Sequence, residues 1–355
     1  MRFLTQRLAQ SALVIAGVVA LTFVITRLVP GDPAVTYAGP RATPAQLTAV
    51  RRQLGLGASL PDQLWRYVTG LLRGDWGTSL HTRRGVLTDI STALPASLEL
   101  VGCAMVLAVV VGVPLGLLGA HLRLGGGRSR GLGRWGRWGR WGRAAGDGSV
   151  RATSMLAVSV PVFLLALAVQ NLFAAQLGWF PVAGEYTSKL NQTSPLEHLT
   201  HLTVVDALLT GNWPVLDSAL AHLVLPALVM AAYPVGVVAQ MSRAALLEES
   251  AAPHARLERA YGFSRLQVLT RFSLRPASGP LLALLALVFA FSLVNAFLVE
   301  EVFDWPGLGR YASAAITSSD APAIAGVTVV VALTYVVTNL LVDLTQAVID
   351  PRVRL

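Results

Sequence analysis

The sequence has one cysteine, one lysine and few charges of either sign, with Asp, Glu, Lys and Arg making up 13% of its 355 residues. Each scarcity closes off a class of protein. Cys103, alone in an apolar run, offers neither a disulfide partner nor the thiolate set of a metal site, which leaves packing as its role. A phosphate-binding P-loop needs a lysine after Gly-x-x-x-x-Gly to reach the terminal phosphates. Lys189 has no such glycines before it, so hydrolysis of ATP by this chain is not expected. Glu99 and Asp343 flank the apolar runs instead of bisecting them. A carrier driven by protons or sodium would keep ionisable groups near mid-span, where they are costly and persist for function. An intramembrane enzyme would need a nucleophile with its base, or a metal cluster, at that depth. His198 and His201 have the spacing of adjacent helix turns but no acidic or Cys ligands around them, which favours a surface loop over a metal site.

What is abundant is apolar surface, at 54% of residues. It is gathered into runs near the 20 or so residues that cross a bilayer as a helix. These predict an all-α membrane protein with six transmembrane helices, at about 8–29, 100–121, 152–176, 218–241, 277–299 and 321–343. The first run follows Arg2 and Arg7 as a signal peptide would, but Arg27 and Pro30 follow it in place of a small-residue cleavage site, so it reads as a retained anchor. Basic residues set the orientation. With the amino terminus inside, Arg2, Arg7, the eight arginines from Arg123 to Arg151, the six from Arg243 to Arg275, Arg352 and Arg354 are cytoplasmic, eighteen against ten outside, as the positive-inside bias requires. An even number of spans places both termini in the cytoplasm.

Three segments lie between the runs. Residues 31–98 form a long external segment with two short helices. Thr43 and Pro44 begin one carrying Leu47, Val50 and Leu54 on a face, and Pro61 begins another with Leu64, Tyr67, Val68, Leu71 and Leu72, and Trp65 suited to a headgroup region. They read equally as membrane-surface helices, a cap on the bundle or a solvated loop. Residues 123–150 form a basic cytoplasmic loop of low complexity, where Arg-Trp-Gly repeats three times from Arg134 to Gly142. It cannot build a core. A flexible basic loop and contact with anionic lipid both fit it, and nucleic acid is not expected as a partner despite the Arg and Trp alternation. Residues 243–275 read as helix, turn and helix, with Pro253 as a breaker, Gly262 as the left-handed residue and Ser264 as the next cap. Such a projection suits a soluble partner.

The stretch from Ala255 to Ser264, with its Arg256-Leu257-Glu258 element and Gly262, is similar to the cytoplasmic loop of ABC importer permeases. The carboxy-terminal third is more specific. Val299-Glu300-Glu301-Val302-Phe303-Asp304-Trp305-Pro306-Gly307-Leu308-Gly309-Arg310, Asp320 to Pro322, Asn339 to Asp343 and Asp350-Pro351-Arg352 resemble, in order, the signature of the dipeptide/oligopeptide permeases. Pro30 to Pro33, Leu54 to Leu56, Gly74 to Ser79 and Leu225-Pro226-Ala227 extend the resemblance along nearly the whole chain, the Arg-Trp-Gly insert excepted.

The resemblance implies a type I ABC importer permease fold in a bacterial plasma (inner) membrane. It implies pairing with a second homologous permease subunit and docking to two cytoplasmic ABC ATPase subunits or domains. Substrate would come from an extracytoplasmic substrate-binding protein, and lipids would surround the spans. No cofactor is expected in this chain, with ATP and Mg bound by the partner subunits. Arg256, Glu258, Arg259, Ala260 and Gly262 are the expected ATPase-coupling residues, against the plain reading of a solvated helix face. Glu300, Glu301, Trp305, Pro306, Gly307 and Gly309 are expected to form an external gate or binding-protein contact, against an ordinary structural turn. Tyr233, Gln240, Asn295 and Asn339 are candidates for the translocation path, against interhelical hydrogen bonding. Dipeptides or oligopeptides are the implied cargo. The alternatives are nickel chelates or glutathione in the same importer class, or an ion-coupled secondary transporter of small polar solutes.

Overall fold

In the computed structural model, which describes residues 2–28, 42–53, 57–125, 148 and 159–349, helices are the repeating element. In chain order they are α1 (Arg2–Leu28), α2 (Pro44–Gln53), α3 (Leu60–Leu72), α4 (Val86–Leu107) and, after a π-helical turn at Ala108–Gly112, α5 (Val113–Gly125). Then come α6 (Val162–Val169) with a π-helical turn at Gln170–Gln176, α7 (Leu190–Thr193), α8 (Thr203–Leu209) and α9 (Trp213–Ala251). The chain continues through α10 (Pro253–Ala260), α11 (Arg265–Gln267) with a π-helical turn at Val268–Ser273, α12 (Leu274–Val302), α13 (Leu308–Thr317) and α14 (Ala321–Ile349). Strand-like pairing among the described residues is one bridge, Thr78 with Gly85.

Five described helical stretches are long and apolar enough to cross a membrane, namely Thr5–Ile25, Val86–Leu124, Trp213–Ala251, Arg265–Val302 and Ala321–Thr345. The third expected span, at 152–176, is described from residue 159 onward and includes the shorter apolar helix Val162–Gln176. Helices outrun the apolar runs that predicted them. The helix expected from about residue 100 begins at Val86, so that residues 86–98 extend it, and the one expected over 218–241 continues to Ala251. Helical geometry is set by backbone hydrogen bonds and survives where apolar composition stops. The Arg-Trp-Gly repeat, Pro30 to Pro33, Leu54 to Leu56 and Asp350 to Arg352 lie outside the described residues.

The chain divides into two compact units. One comprises Met1–Ala96 and Pro306–Val337. Its core is Val86, Ile90, Leu308 and Val330, with Trp76, Leu94, Tyr311, Val327 and Val331 against them. Gly326 allows that packing, since a Cβ there would overlap Val86 Cγ1. Thr43 and Gln46 form a reciprocal cap on α2, Thr43 N donating to Gln46 Oε1 over 2.8 Å and Gln46 N to Thr43 Oγ1 over 3.4 Å. Ser59 caps α3, and the Tyr67 ring lies 5.8 Å from that of Phe23 on α1. Trp65 and Leu72 are exposed. The Gly74 to Ser79 motif is held by Asp320, which has no exposed surface and accepts hydrogen bonds from Ser79 Oγ (2.6 Å), Leu80 N (2.7 Å), His81 N (3.1 Å) and Ala323 N (3.1 Å).

The other unit comprises Ser97–Trp305 and Thr338–Leu355. Its centre is the crossing of α9 with the Ala108–Gly112 turn and α5. Gly112 and Gly116 face α9 so closely that a Cβ at Gly116 would lie 2.6 Å from Ala239 O and Ser242 Cβ. Asn212 begins α9, its side chain accepting from Val215 N at 3.3 Å, and Pro226 and Pro234 lie inside the helix. Beside it, the Glu99 carboxylate accepts from Thr203 N (3.1 Å) and Val204 N (2.8 Å) and so caps α8, where free N–H groups favour negative charge.

Candidate functional site

The loop between α9 and α12 is built as its punctuation predicts. Ala252 is extended, Pro253 opens α10, and Gly262 at φ +93° ends it, an angle that strains a residue carrying a Cβ. Ser264 and Gln267 then make a capping box, Ser264 N donating to Gln267 Oε1 (2.8 Å) and Gln267 N to Ser264 Oγ (3.3 Å). The base of the loop is apolar. Leu269 and Ala277 are buried with Ala120 of α5 and Ala245 and Leu246 of α9, with Leu117, Leu124, Leu247 and Leu274 around them. The outer surface carries Leu257, Tyr261, Phe263 and Leu266, of which Tyr261 is 76% exposed.

The five coupling residues expected from sequence occupy different settings. Arg256 and Ala260 are exposed and Gly262 is the turn. Glu258 is half-buried, and its Oε2 is enclosed without a hydrogen-bond partner. Arg259 turns back on its own chain, donating from Nε to Ala255 O (3.1 Å) and from Nη2 to Ser250 O (2.6 Å). Sequence reading missed Arg265, whose Nη1 donates to Leu124 O at 2.9 Å. Arg265 and Leu124 are 141 positions apart in the chain, and no local pattern signals the pairing.

At the end of α12 the expected gate residues split by exposure. Glu300 is fully buried and accepts from Ser97 Oγ at 2.5 Å, while its carbonyl accepts from Trp305 N at 2.9 Å. Trp305 and Phe303 are each 1% exposed. Gly184 N donates to Phe303 O (2.8 Å), and Gln170 Nε2 to Val302 O (2.8 Å) and Val182 O (2.9 Å). Glu301 and Pro306 are exposed, whereas Gly307 is the buried cap residue before α13 and Gly309 lies within that helix. The left-handed residue is Asp304, at φ +52°, and neither Gly307 nor Gly309 has a positive φ. The excursion forecast from proline and two glycines is thus a short turn after Val302, with a helix resuming at Leu308.

Of the path candidates, Tyr233 meets the Phe291 ring of α12, and Asn295 bonds back along its own helix to the Phe291 backbone. The Phe291 ring lies 5.2 Å from that of Tyr233, and the Phe291 carbonyl accepts from Asn295 Nδ2 at 2.8 Å. Gln240 is exposed and Asn339 is half-buried on α14.

The segment before α9 holds acids that sequence reading passed over. Thr203 Oγ1 donates to Glu185 Oε1 at 2.5 Å. Burial pushes the Glu185 carboxyl above its usual range, against the Thr203 hydroxyl and the charge of His198. Asp206 is fully buried. Burial would raise its pKa, but bonds from Thr200 Oγ1 (2.6 Å), Thr200 N (2.8 Å), His201 N (2.9 Å) and Leu199 N (3.1 Å) together hold it below the ordinary aspartate value. His198 and His201 stand on the loop before α8, rings 5.8 Å apart, with His198 Nδ1 4.0 Å from Asp206 Oδ2.

Comparison with known proteins agrees with this architecture along its length. The chain is 39% identical over 350 residues to the probable D,D-dipeptide transport system permease protein DdpB of Escherichia coli (strain K12), covering 99% of this chain and 96% of that one. It is 33% identical to the di/tripeptide transport system permease protein DppB of Pseudomonas aeruginosa (strain UCBPP-PA14), over 99% of this chain and 98% of the relative. It is 30% identical to the glutathione transport system permease protein GsiC of Salmonella paratyphi A (strain ATCC 9150 / SARB42), over 95% and 94%. Residues 1–101 match the N-terminal membrane component of binding-protein-dependent transport systems, and residues 131–355 match their inner membrane component. The chain, an all-α multi-pass membrane protein, belongs to the family of binding-protein-dependent transport system inner membrane components.

Proposed function

We propose that this chain is a permease subunit of an ATP-driven importer that moves dipeptides or oligopeptides delivered by an extracytoplasmic binding protein. The observation that carries the reading is the 39% identity, along 99% of the chain, to a permease named for D,D-dipeptide transport. Both termini are cytoplasmic, as the arginine distribution argues. A second, homologous permease subunit completes the pathway, and two ATPase subunits bind ATP and Mg and dock on the α9–α12 loop. The exposed Leu257, Tyr261, Phe263 and Leu266 on a fixed turn support that docking role. Arg256, Glu258, Ala260 and Gly262 act in it as surface, partly enclosed acid, small contact and turn.

On the outer side Glu301 and Pro306 are the accessible members of the gate group, with Glu300 and Trp305 as buried supports. Tyr233, Gln240, Asn295 and Asn339 remain the candidate path residues. For the basic loop at 123–150, contact with anionic lipid headgroups and a plain flexible loop both fit its composition.

The test is uptake of labelled peptides of graded length by cells with and without the gene, with glutathione and nickel chelates run alongside. Loss of peptide uptake on deletion is the expected result. Glutathione uptake lost in its place would move the cargo, as the GsiC similarity allows. Uptake driven by an ion gradient through this chain alone would overturn the reading.

A further inference from the structure

Two arginines of the α9–α12 loop are spent on backbone carbonyls at the ends of two different spans. Arg259 donates to Ser250 O (2.6 Å), in the last turn of α9, and Arg265 donates to Leu124 O (2.9 Å), in the last described turn of α5. The final carbonyls of a helix have no partner within it and carry its negative pole, so a guanidinium there is both a hydrogen-bond donor and a matched charge. Between the two arginines stand Gly262 and the capped Ser264, so the turn is held from both sides. Beneath it the apolar cluster of Ala120, Ala245, Leu246, Leu269 and Ala277 gives adhesion without direction.

The geometry points to Arg259 and Arg265 as positioning residues that tie the loop to the carbonyl ends of α9 and α5, so that a displacement of the loop reaches both spans together. The inference rests on the docking role proposed above, and it takes Arg259 out of the docking surface. The cluster keeps the loop folded when either arginine is replaced. What is lost is the fixed distance between turn and helix ends.

The test uses the assembled importer in proteoliposomes, with Arg259→Gln and Arg265→Gln compared with Tyr261→Ala. Each glutamine variant is expected to retain its ATPase subunits and hydrolysis, while peptide uptake per ATP hydrolysed falls about fivefold, the equivalent of one lost hydrogen bond of ordinary strength. Arg265→Lys recovers most of it, because an ammonium can reach the same carbonyl. In the purified chain, amide exchange over residues 262–268 should quicken in Arg265→Gln and return toward wild type in Arg265→Lys. Wild-type uptake per ATP in the glutamine variants, or unchanged exchange, overturns the proposal. So does loss of the ATPase subunits from them, which would make the arginines docking residues. A wild-type chain that holds no ATPase removes the docking reading itself, a result distinguishable from the others before any variant is made.

Discussion

Asp320 organises its surroundings through both carboxylate oxygens. Oδ2 gathers Ser79 Oγ, Leu80 N and His81 N, and Oδ1 accepts from Ala323 N at the start of α14. Asp320→Ala leaves the Ser79 hydroxyl and the Ala323 N–H unpaired in a buried place, and the Leu80 and His81 N–H groups in a partly buried one, a loss of about 3 kcal/mol. The expected result is a fall of several degrees in the thermal midpoint in detergent, with Asp320→Asn in between. Tyr311 offers a pH test in the same unit. Burial, aided by the negative charges of Asp89 and Asp320 and opposed by the Ser79 hydroxyl, pushes its phenol up to about 12. A group that holds its proton more tightly when folded contributes stability that is complete below the free-phenol value of about 10 and is lost as pH rises through 12. Wild type should therefore lose stability between pH 10 and 12 more steeply than Tyr311→Phe in melts across that window.

At the scale of elements, the approach of α5 to α9 depends on having no side chain at Gly116. Gly116→Ala would press a methyl to 2.6 Å from Ala239 O, a cost of about 1–3 kcal/mol. Gly102→Ala on α4, where a Cβ meets nothing within 4 Å, should be neutral or slightly stabilising because alanine favours a helix. Thermal melts of the two variants distinguish a packing glycine from a spare one. The contrast also marks how much the sequence could say. Pro253, Gly262 and Ser264 are local signals, and they forecast the turn of the α9–α12 loop correctly. Gly112 and Gly116 lie in an apolar run whose hydropathy is the same whichever face meets another helix, so their contact was illegible. The non-helical turn after Val302 was legible from its proline and glycines, but not which residue takes the strained angle. Gly307 and Gly309 suggested backbone freedom, but the residue that uses it is Asp304. Arg265 and Asp320 find partners 141 and 239 to 241 positions away through the fold, and charge patterning along the chain gives no hint of them, whereas Asp206 is held by its own loop, from Leu199 to His201.

For the whole molecule, the proposed function requires that the chain recruit its source of energy. Tyr261→Ala removes an aromatic ring that is 76% exposed and buries nothing within the chain, so the protein should accumulate normally. Its retention of ATPase subunits on affinity purification is expected to fall about tenfold, as when an aromatic anchor leaves the middle of an interface. Normal retention would place docking elsewhere on the loop.

The 39 residues of α9 extend about 58 Å at 1.5 Å each, close to twice the thickness of a hydrocarbon core. The helix is therefore longer than a hydrocarbon core is thick, and its two ends make different contacts. At one end Asn212 holds Ser194 by two hydrogen bonds, of 2.8 and 3.1 Å. At the other, Ser250 O takes the guanidinium of Arg259. Pro226 and Pro234, each without an N–H to give the ladder, are where such a rod bends most easily. A bend of about 5° at Pro234 swings the Ser250 end, some 25 Å away, through about 2 Å. That is enough to break or make a hydrogen bond, so even a slight flexing at the prolines would be felt at the Arg259 contact.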